Sequence, residues 1–329
     1  MSAKVVYIAG YGRSGSTLLE RILSANPHIE GLGEVEQLSR MTDLHTSTCG
    51  CGEPLGSCPL WGPLISGLEQ DFDFGDVRAQ QDAADAWEPG RLRAAVGGTR
   101  RSANPCTISA AQSVSGQAPA QRAQSENAIY DRFSARVFED AAARLRQPDI
   151  RLIDSSKTAR LNALRPFSLV RAGLRVQMIH LVRDGRSAMW SYIDKGSNRL
   201  LEQGEEAHVR FAGLRSALSW RLANRAAERF AEAYPEHYLR LRYEDFTAAP
   251  RAELERLADF LETDLSREID ALEAEDPFPR VHQVAGNRMR SAETIRLHTD
   301  RSWHDTLPAR YRALFRVVNG RMARRYGYV

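Results

Sequence analysis

The sequence predicts a three-layer α/β fold, with a central, mostly parallel sheet between helices. Three observations predict it. Val5-Val6-Tyr7-Ile8-Ala9 is an apolar run that breaks into glycines and hydroxyls, and Leu18-Leu19-Glu20-Arg21-Ile22-Leu23 follows at helical spacing. Residues 150–154, 158–172 and 175–182 read as strand, helix and strand, a βαβ unit with parallel strands. Val176-Gln177-Met178-Ile179-His180-Leu181-Val182 is apolar enough for a strand buried on both faces.

Strand 4–9 and helix 16–25 make the first unit. Residues 40–90 read as irregular, because turn signals (Cys58-Pro59, Trp61-Gly62-Pro63, Phe74-Gly75) separate short apolar pieces. Residues 95–126 are rich in Gly, Ser, Ala and Gln without periodicity and read as a mobile loop. Ile129, Phe133, Val137, Phe138, Ala141 and Leu145 share one face of a helix over 129–145. A long helix over about 206–233, a strand over 238–243 and a helix over 250–262 complete the pattern. The 329 residues, 43% of them hydrophobic, suffice for one large core. The whole of 1–329 therefore reads as a single domain, in which about 40–148 is an insertion. No internal repeat is visible.

No run of 18 apolar residues exists, and Met1-Ser2-Ala3-Lys4 leads directly into the first strand, so a cytoplasmic protein without a membrane span is expected. A net charge of +3 is too mild to argue for nucleic acid. The basic residues are nearly all Arg, a bias that fits a GC-rich bacterial genome. Lysine occurs only at Lys4, Lys157 and Lys195. Lys157 stands out as a place that needs a compact charge.

The segment Gly10-Tyr11-Gly12-Arg13-Ser14-Gly15-Ser16-Thr17 joins a strand to a helix N-terminus, which makes it a seat for a phosphate-like anion. Gly10-x-Gly12-x-x-Gly15 fits the dinucleotide fingerprint, but that unit wants an apolar second strand ending in an acid about 20 residues on. His28-Ile29-Glu30-Gly31-Leu32-Gly33-Glu34 is too polar and glycine-rich to be such a strand. Gly10-x4-Gly15 also fits a Walker A loop until Ser16 replaces its Lys. The loop is P-loop-like without that point charge. A third template has a Lys or Arg two residues before the Gly and hydroxyls after it, which Arg13-Ser14-Gly15-Ser16-Thr17 fits throughout.

A second motif joins the first. The strand ending at Val182 runs into Arg183-Asp184-Gly185-Arg186, and Ser191 follows one helical step inside the next helix. A guanidinium fork, a hydroxyl and helix N-terminal donors together suit a dianionic phosphate. The two motifs resemble those of sulfotransferases that use 3′-phosphoadenosine 5′-phosphosulfate (PAPS), nearest the bacterial members and the tyrosylprotein and carbohydrate branch. Arg151-Leu152-Ile153-Asp154-Ser155-Ser156-Lys157-Thr158 is similar to the family's strand that delivers a Lys to the transferred group. His282-Gln283-Val284-Ala285-Gly286-Asn287-Arg288-Met289-Arg290, with Trp303 beyond it, is similar to the loop that closes over the nucleotide. The likeness covers 4–38, 150–200 and 237–329.

The resemblance implies roles. Arg13, Ser14, Gly15, Ser16 and Thr17 hold the 5′-phosphate, and Arg13 neutralises the leaving group. Arg183, Ser191 and Arg288, in preference to Arg290, hold the 3′-phosphate, and Lys157 sits on the sulfonate. No metal is required. The His that serves as base in phenol sulfotransferases is missing from Lys157-Thr158-Ala159-Arg160. The other branch uses a Glu beyond the first helix, which implies Glu34, with Glu36 second. If this piece is extended, both acids face one side. His282 reads as structural, Trp303 as core or a stacking ring, and Tyr243-Glu244-Asp245 as a cap on the next helix. The family also carries Cys-x-Cys-Gly with a later Cys-Pro-x-Trp, here Cys49, Cys51 and Cys58. Packing or a disulfide is the first reading of these cysteines and a metal the second, since no His or Cys stands at a spacing that gives a clear fourth ligand. Cys106 stands apart.

Two rivals remain. One is a divergent P-loop kinase or NTPase, with Leu152-Ile153-Asp154 as a Walker B strand end. The other is a nucleotide-binding protein without catalysis. The acceptor, expected to be a small molecule or carbohydrate selected by about 40–148, is not specified. Trp61, Phe72, Phe74, Trp87, Tyr130 and Phe133 there suit a ring or the core equally.

Overall fold

The first apolar run forms β1 (Lys4–Ala9), and the hydrophobic stretch behind the glycine-rich turn forms α1 (Ser16–Leu23). This computed structural model describes residues 3–85, 128–158, 163–202, 211–286, 288–291, 294–295, 297–299 and 301–328. β2 (Ile29–Gly31), α2 (Trp61–Asp71), α3 (Phe74–Asp85), α4 (Ala128–Leu145) and β3 (Arg151–Asp154) follow. Next come α5 (Arg165–Arg171), β4 (Arg175–Val182), α6 (Gly185–Glu202), α7 (Ala212–Ala233) and β5 (Tyr238–Arg242). The last elements are α8 (Tyr243–Ala248), α9 (Pro250–Leu261), α10 (Ser266–Glu273), the short α11 (Trp303–Thr306) and α12 (Ala309–Arg325).

The five strands among the described residues form one sheet in the order β2-β3-β1-β4-β5, and every neighbouring pair is parallel. Alternation along the strands builds two cores. Val5, Tyr7, Leu152, Val176 and Met178 pack on one face with α2, α4, α5 and the end of α7, whereas Val6, Ile8, Ile153, Ile179 and Leu181 pack on the other with α1, α9 and α10. A third cluster joins α6, α7 and α12 around Trp220 and Phe315. From β1 the chain leaves toward β2, and from β3 it crosses to β4 on the opposite side. That divergence opens a crevice at the carboxyl ends of the central strands, the place where open α/β sheets bind ligands.

Three expectations are corrected. Residues 40–90 are not irregular, because α2 and α3 lie within them. Pro63 and Gly75, which look like helix breakers, sit in first turns, where the backbone N–H needs no intrahelical partner. Trp61, Leu64, Ile65 and Leu68 bury one face of α2. His28–Glu34 does contain a parallel strand, β2, whose three residues pair with β3 at the sheet edge. Its glycine serves packing: a Cβ at Gly31 would stand 2.6 Å from Ser24 Oγ and 3.0 Å from Glu20 Oε1 of α1. The strand 238–243 ends at Arg242, and Tyr243-Glu244-Asp245 opens a helix of its own. The expected helix over 158–172 is described only as α5, and the one over 206–233 only from Ala212. Residues 95–126, with Cys106, and Trp87 lie outside the described residues. The helix expected at 129–145 forms as α4. Its Phe133 meets Phe72 and Phe74 edge-on at ring separations of 5.5 and 5.3 Å.

Candidate active site

The loop from Gly10 to Thr17 turns at two glycines with positive φ, Gly10 (131°) and Gly15 (95°), and at Arg13 (67°). Space demands the glycines as well. A Cβ at Gly10 would stand 2.3 Å from the Leu181 carbonyl of β4, and one at Gly15 would stand 2.5 Å from the Tyr243 ring. Ser14, Ser16 and Thr17 are buried, while Arg13 projects into solvent. α1 has no side-chain cap and no acid in its first turn, so its leading N–H groups and positive dipole end face the crevice. Ser14 Oγ is buried and has no hydrogen-bond partner among the described residues, a donor left for a ligand.

The ends of β3 and β4 close on this loop. Thr158 N donates to the Gly10 carbonyl at 3.2 Å, and Gly10 N donates to Thr158 Oγ1 at 3.1 Å. Arg183, half-buried at the end of β4, donates through Nη1 to the Arg13 carbonyl at 2.8 Å, and its guanidinium lies 4.7 Å over the Tyr243 ring. Ser191 is half-buried two turns into α6. Glu244 braces the same corner: it accepts from Asp184 N at 3.0 Å and from Tyr328 Oη at 2.6 Å. It therefore joins the strand ends rather than capping the next helix.

Lys157 and Glu34 meet. The Lys157 ammonium forms an ion pair with Glu34 Oε1, the side chains being 15% and 22% exposed. Lys157 has φ of 64°, and its carbonyl accepts a hydrogen bond from Tyr7 Oη of β1. Glu34 is placed by continuation of the β2–β3 pairing, in which Leu32 N donates to the Ile153 carbonyl at 3.0 Å and Ser155 N to that of Gly33 at 2.9 Å. Behind it, Glu20 Oε1 accepts from Gly33 N at 2.7 Å, and burial pushes the Glu20 carboxyl up to about 8.

Glu36 is not its neighbour on the same side. Val35–Gln37 is a tight 3-10 turn rather than an extended piece, and it buries Glu36 against Gln81 Nε2 at 3.2 Å and Arg40 Nε at 3.4 Å. Asp154 is also fully buried. It accepts from Arg165 Nε at 2.8 Å and from Ser156 N at 3.0 Å.

The turn Arg288–Ser291 lies on α1, where Arg21 donates to the Met289 carbonyl at 2.9 Å and to that of Phe278 at 3.0 Å. A Cβ on Gly286 would stand 3.5 Å from Thr17 Oγ1, so this stretch passes the start of α1. The Arg288 side chain lies outside the described residues, and Arg290 is half-buried. Trp303 is a core residue, 6% exposed, with the Arg186 guanidinium 4.6 Å over its ring. The His282 ring lies against Cys49, Cys51 and Cys58. These three thiols are free rather than bridged, and His282 supplies the fourth partner that sequence spacing does not reveal. An open depression of about 560 Å³ lies over residues 41–45 and 69–74, and it shares no lining residue with the loop, Lys157 or Glu34.

Sequence reasoning missed Tyr7, Thr158 and Glu20 as supports of the site, because each reads as ordinary core or turn material. The hydroxyl directly after Lys157 was the one available signal.

The sequence model of the Sulfotransferase family matches residues 68–267, a span that includes Lys157, Arg183 and Ser191 and begins after the loop. The sulfotransferase domain of the Synechococcus PCC 7002 olefin synthase shares the fold, with 18% identity and a TM-score of 0.52 over 100% of this chain and 97% of that one. The sulfotransferase domain from the curacin biosynthetic pathway gives 17% identity and 0.49 over 100% and 99%, and the Mycobacterium avium sulfotransferase STF9 gives 14% and 0.43 over 83% and 69%. No curated protein matches the sequence. A match over more than half of the chain, on a parallel sheet with a glycine-rich loop at its crevice, places this protein in the sulfotransferase family.

Proposed function

We propose that this chain moves a sulfuryl group from PAPS to the hydroxyl of a small-molecule or carbohydrate acceptor by in-line displacement, with Glu34 as general base. The observation that carries the reading is the Lys157–Glu34 ion pair beside the loop. Sulfuryl transfer needs positive charge on the non-bridging oxygens and a base for the acceptor proton, and this pair supplies both at one point.

The donor supplies an activated sulfuryl group on a phosphate leaving group. The residues present fit it, since the loop offers N–H groups and the unpartnered Ser14 Oγ for a 5′-phosphate. Arg13, Gly15, Ser16 and Thr17 would complete that seat, and Arg183, Ser191 and Arg288 would hold the 3′-phosphate. Lys157 would exchange the Glu34 carboxylate for a sulfonate oxygen, which frees Glu34. Glu34 would then take the hydroxyl proton as the acceptor O–S bond forms and the S–O bond to the phosphate breaks. The loop and Arg13 would hold the charge that the phosphate gains. Catalysis in this scheme needs no metal. Residues 40–148 would shape the acceptor side of a single domain, since Gln81 and Arg40 from that stretch hold the carboxylate of Glu36, two residues beyond Glu34.

The kinase reading loses its acid. Both Asp154 oxygens are engaged by Arg165 and Ser156 in a fully buried pair, so Asp154 is not free to hold a magnesium ion. Titration calorimetry with 3′-phosphoadenosine 5′-phosphate in the absence of Mg²⁺, run beside ATP with Mg²⁺ and beside NAD, tests the donor. Metal-free binding of the bisphosphate is expected, weakened at least tenfold in Arg183→Ala by loss of a charge-assisted bond worth about 1.5–3 kcal/mol. Binding of ATP only with Mg²⁺ would overturn the reading.

A further inference from the structure

We infer that Cys49, Cys51, Cys58 and His282 form a four-ligand zinc site that locks the 49–58 loop to the segment leading to Arg288. The four ligand atoms, three sulfurs and a ring nitrogen, all lie within 4.8 Å of one another. Cys58 Sγ stands 3.7 Å from Cys49 Sγ, 3.9 Å from Cys51 Sγ and 3.2 Å from His282 Nδ1. Around a tetrahedral zinc ion, ligands at about 2.3 Å (sulfur) and about 2.0 Å (nitrogen) stand about 3.8 Å (S···S) and about 3.5 Å (S···N) apart. The three edges that meet at Cys58 lie within a few tenths of an ångström of those values, and the other three are no longer than 4.8 Å. They are far too long for a disulfide, whose sulfurs stand about 2.05 Å apart.

The surroundings are those of thiolate ligands. Cys49 and Cys58 are buried, and Trp61 N donates to Cys58 Sγ at 3.5 Å, a bond that stabilises negative sulfur. His282 is held by its backbone: Trp61 Nε1 donates to its carbonyl, and its N–H donates to Glu30 Oε1 at 3.2 Å. Three thiols lose their protons on binding, and three thiolates with one neutral imidazole leave a net charge of about −1 around the ion. Four protein ligands leave no open position, so the ion is structural rather than catalytic.

Its mechanical role follows from the hydrogen bonds on either side. Gly50 N donates to the Gln283 carbonyl at 2.8 Å, and Val284 N donates to that of Leu32 at 2.9 Å, one residue before the Gly33-Glu34 corner. A Cβ at Gly50 would meet the Val281 carbonyl at 2.4 Å, so the two segments are in close backbone contact. The ion would thus tie together two pieces of chain more than 200 positions apart, next to both halves of the candidate site.

The test uses the full chain purified without chelator. Elemental analysis is expected to give about one zinc per chain, released by a mercurial that titrates thiols. Exchange with Co²⁺ is expected to give the intense visible bands of a tetrahedral ion together with thiolate-to-cobalt charge transfer. Cys51→Ser and His282→Ala should each lower the bound metal severalfold, whereas Cys106→Ser should keep it. If those variants do not fold, the cobalt spectrum of the unmodified chain still decides. A metal-free chain that gives no tetrahedral cobalt spectrum would overturn the site. So would zinc retained undiminished when Cys49, Cys51 and Cys58 are all changed to Ser.

Discussion

Replacing Glu34 with Gln separates two effects that the Lys157–Glu34 pair ties together. The amide keeps the shape and removes the charge, so Lys157 no longer has to give up an ion partner before it can reach a sulfonate. At 15% and 22% exposure the pair is only partly open to water, so it is worth at least as much as an exposed pair, about 0.2–1 kcal/mol. Donor affinity should therefore rise, by at least roughly 1.4- to 5-fold. Turnover should fall by about 10²- to 10⁴-fold, the usual contribution of a positioned base. Affinity is read by calorimetry with PAPS, and turnover as release of the bisphosphate product with any acceptor that the unmodified enzyme sulfates. The opposite signs are the diagnostic. Turnover within twofold of the unmodified enzyme would remove Glu34 as base, and donor affinity that falls along with turnover would show that the pair supports the donor site rather than competing with it.

Three further outcomes are expected. Tyr7→Phe removes the bond to the Lys157 carbonyl, so a loss of about 1–3 kcal/mol in denaturant unfolding should accompany a drop in turnover; unchanged turnover would mean that Lys157 needs no such support. Asp154→Ala strands the buried Arg165, whose Nη1 also donates to Tyr130 Oη at 2.6 Å, and should cost about 3–5 kcal/mol, while Asp154→Ala with Arg165→Met should recover much of it. Glu20 is an acid whose folded pKa of about 8 lies above its ordinary value of 4.5, so its protonated form favours the fold. That contribution is full below about 4.5 and is lost as pH rises toward 8, with a slope of about 1.4 kcal/mol per pH unit. Urea melts across that range should be flatter for Glu20→Gln by about one proton.

The parts of the site made by short contiguous stretches are legible in the sequence, and the parts made by distant contacts are not. Gly10–Thr17 announces itself because an anion seat needs glycines at positive φ and hydroxyls at a helix start, all within one turn. Arg183 follows an apolar run that can only be a buried strand. By contrast, Lys157 and Glu34 are each nameable, yet their contact depends on β2, an edge strand of three residues stabilised by its fit to α1 at Gly31. Local composition argues against that strand, and tertiary packing overrides it. The helices between 61 and 85 are hidden for a similar reason: their Pro and Gly punctuate first turns rather than ends. His282 joins the cysteines from across the chain, and no spacing rule reaches that far.

The replacement of the loop lysine by Ser16 has a structural counterpart. In a Walker loop the ammonium rises from the loop itself and sits among the phosphates. Here the compact charge arrives from the end of β3 as Lys157, beside Glu34, which in the proposed scheme would place it toward the transferred group and the acceptor rather than on the leaving group. Holding it there requires left-handed backbone at Lys157, and the loop requires the same at Arg13. Each such residue costs about 1–3 kcal/mol and persists only where its surroundings dictate it. In both cases the residue's own carbonyl is caught by a distant donor, Tyr7 Oη of β1 for Lys157 and Arg183 Nη1, just past β4, for Arg13. Arg183 thus occupies two places at once: it would bind the far phosphate of the donor, and it fixes the backbone of the residue that would meet the near one. The two ends of the nucleotide would be coupled through this one guanidinium, and loss of Arg183 should weaken binding of a 5′-monophosphate that lacks the 3′-phosphate as well as binding of the bisphosphate.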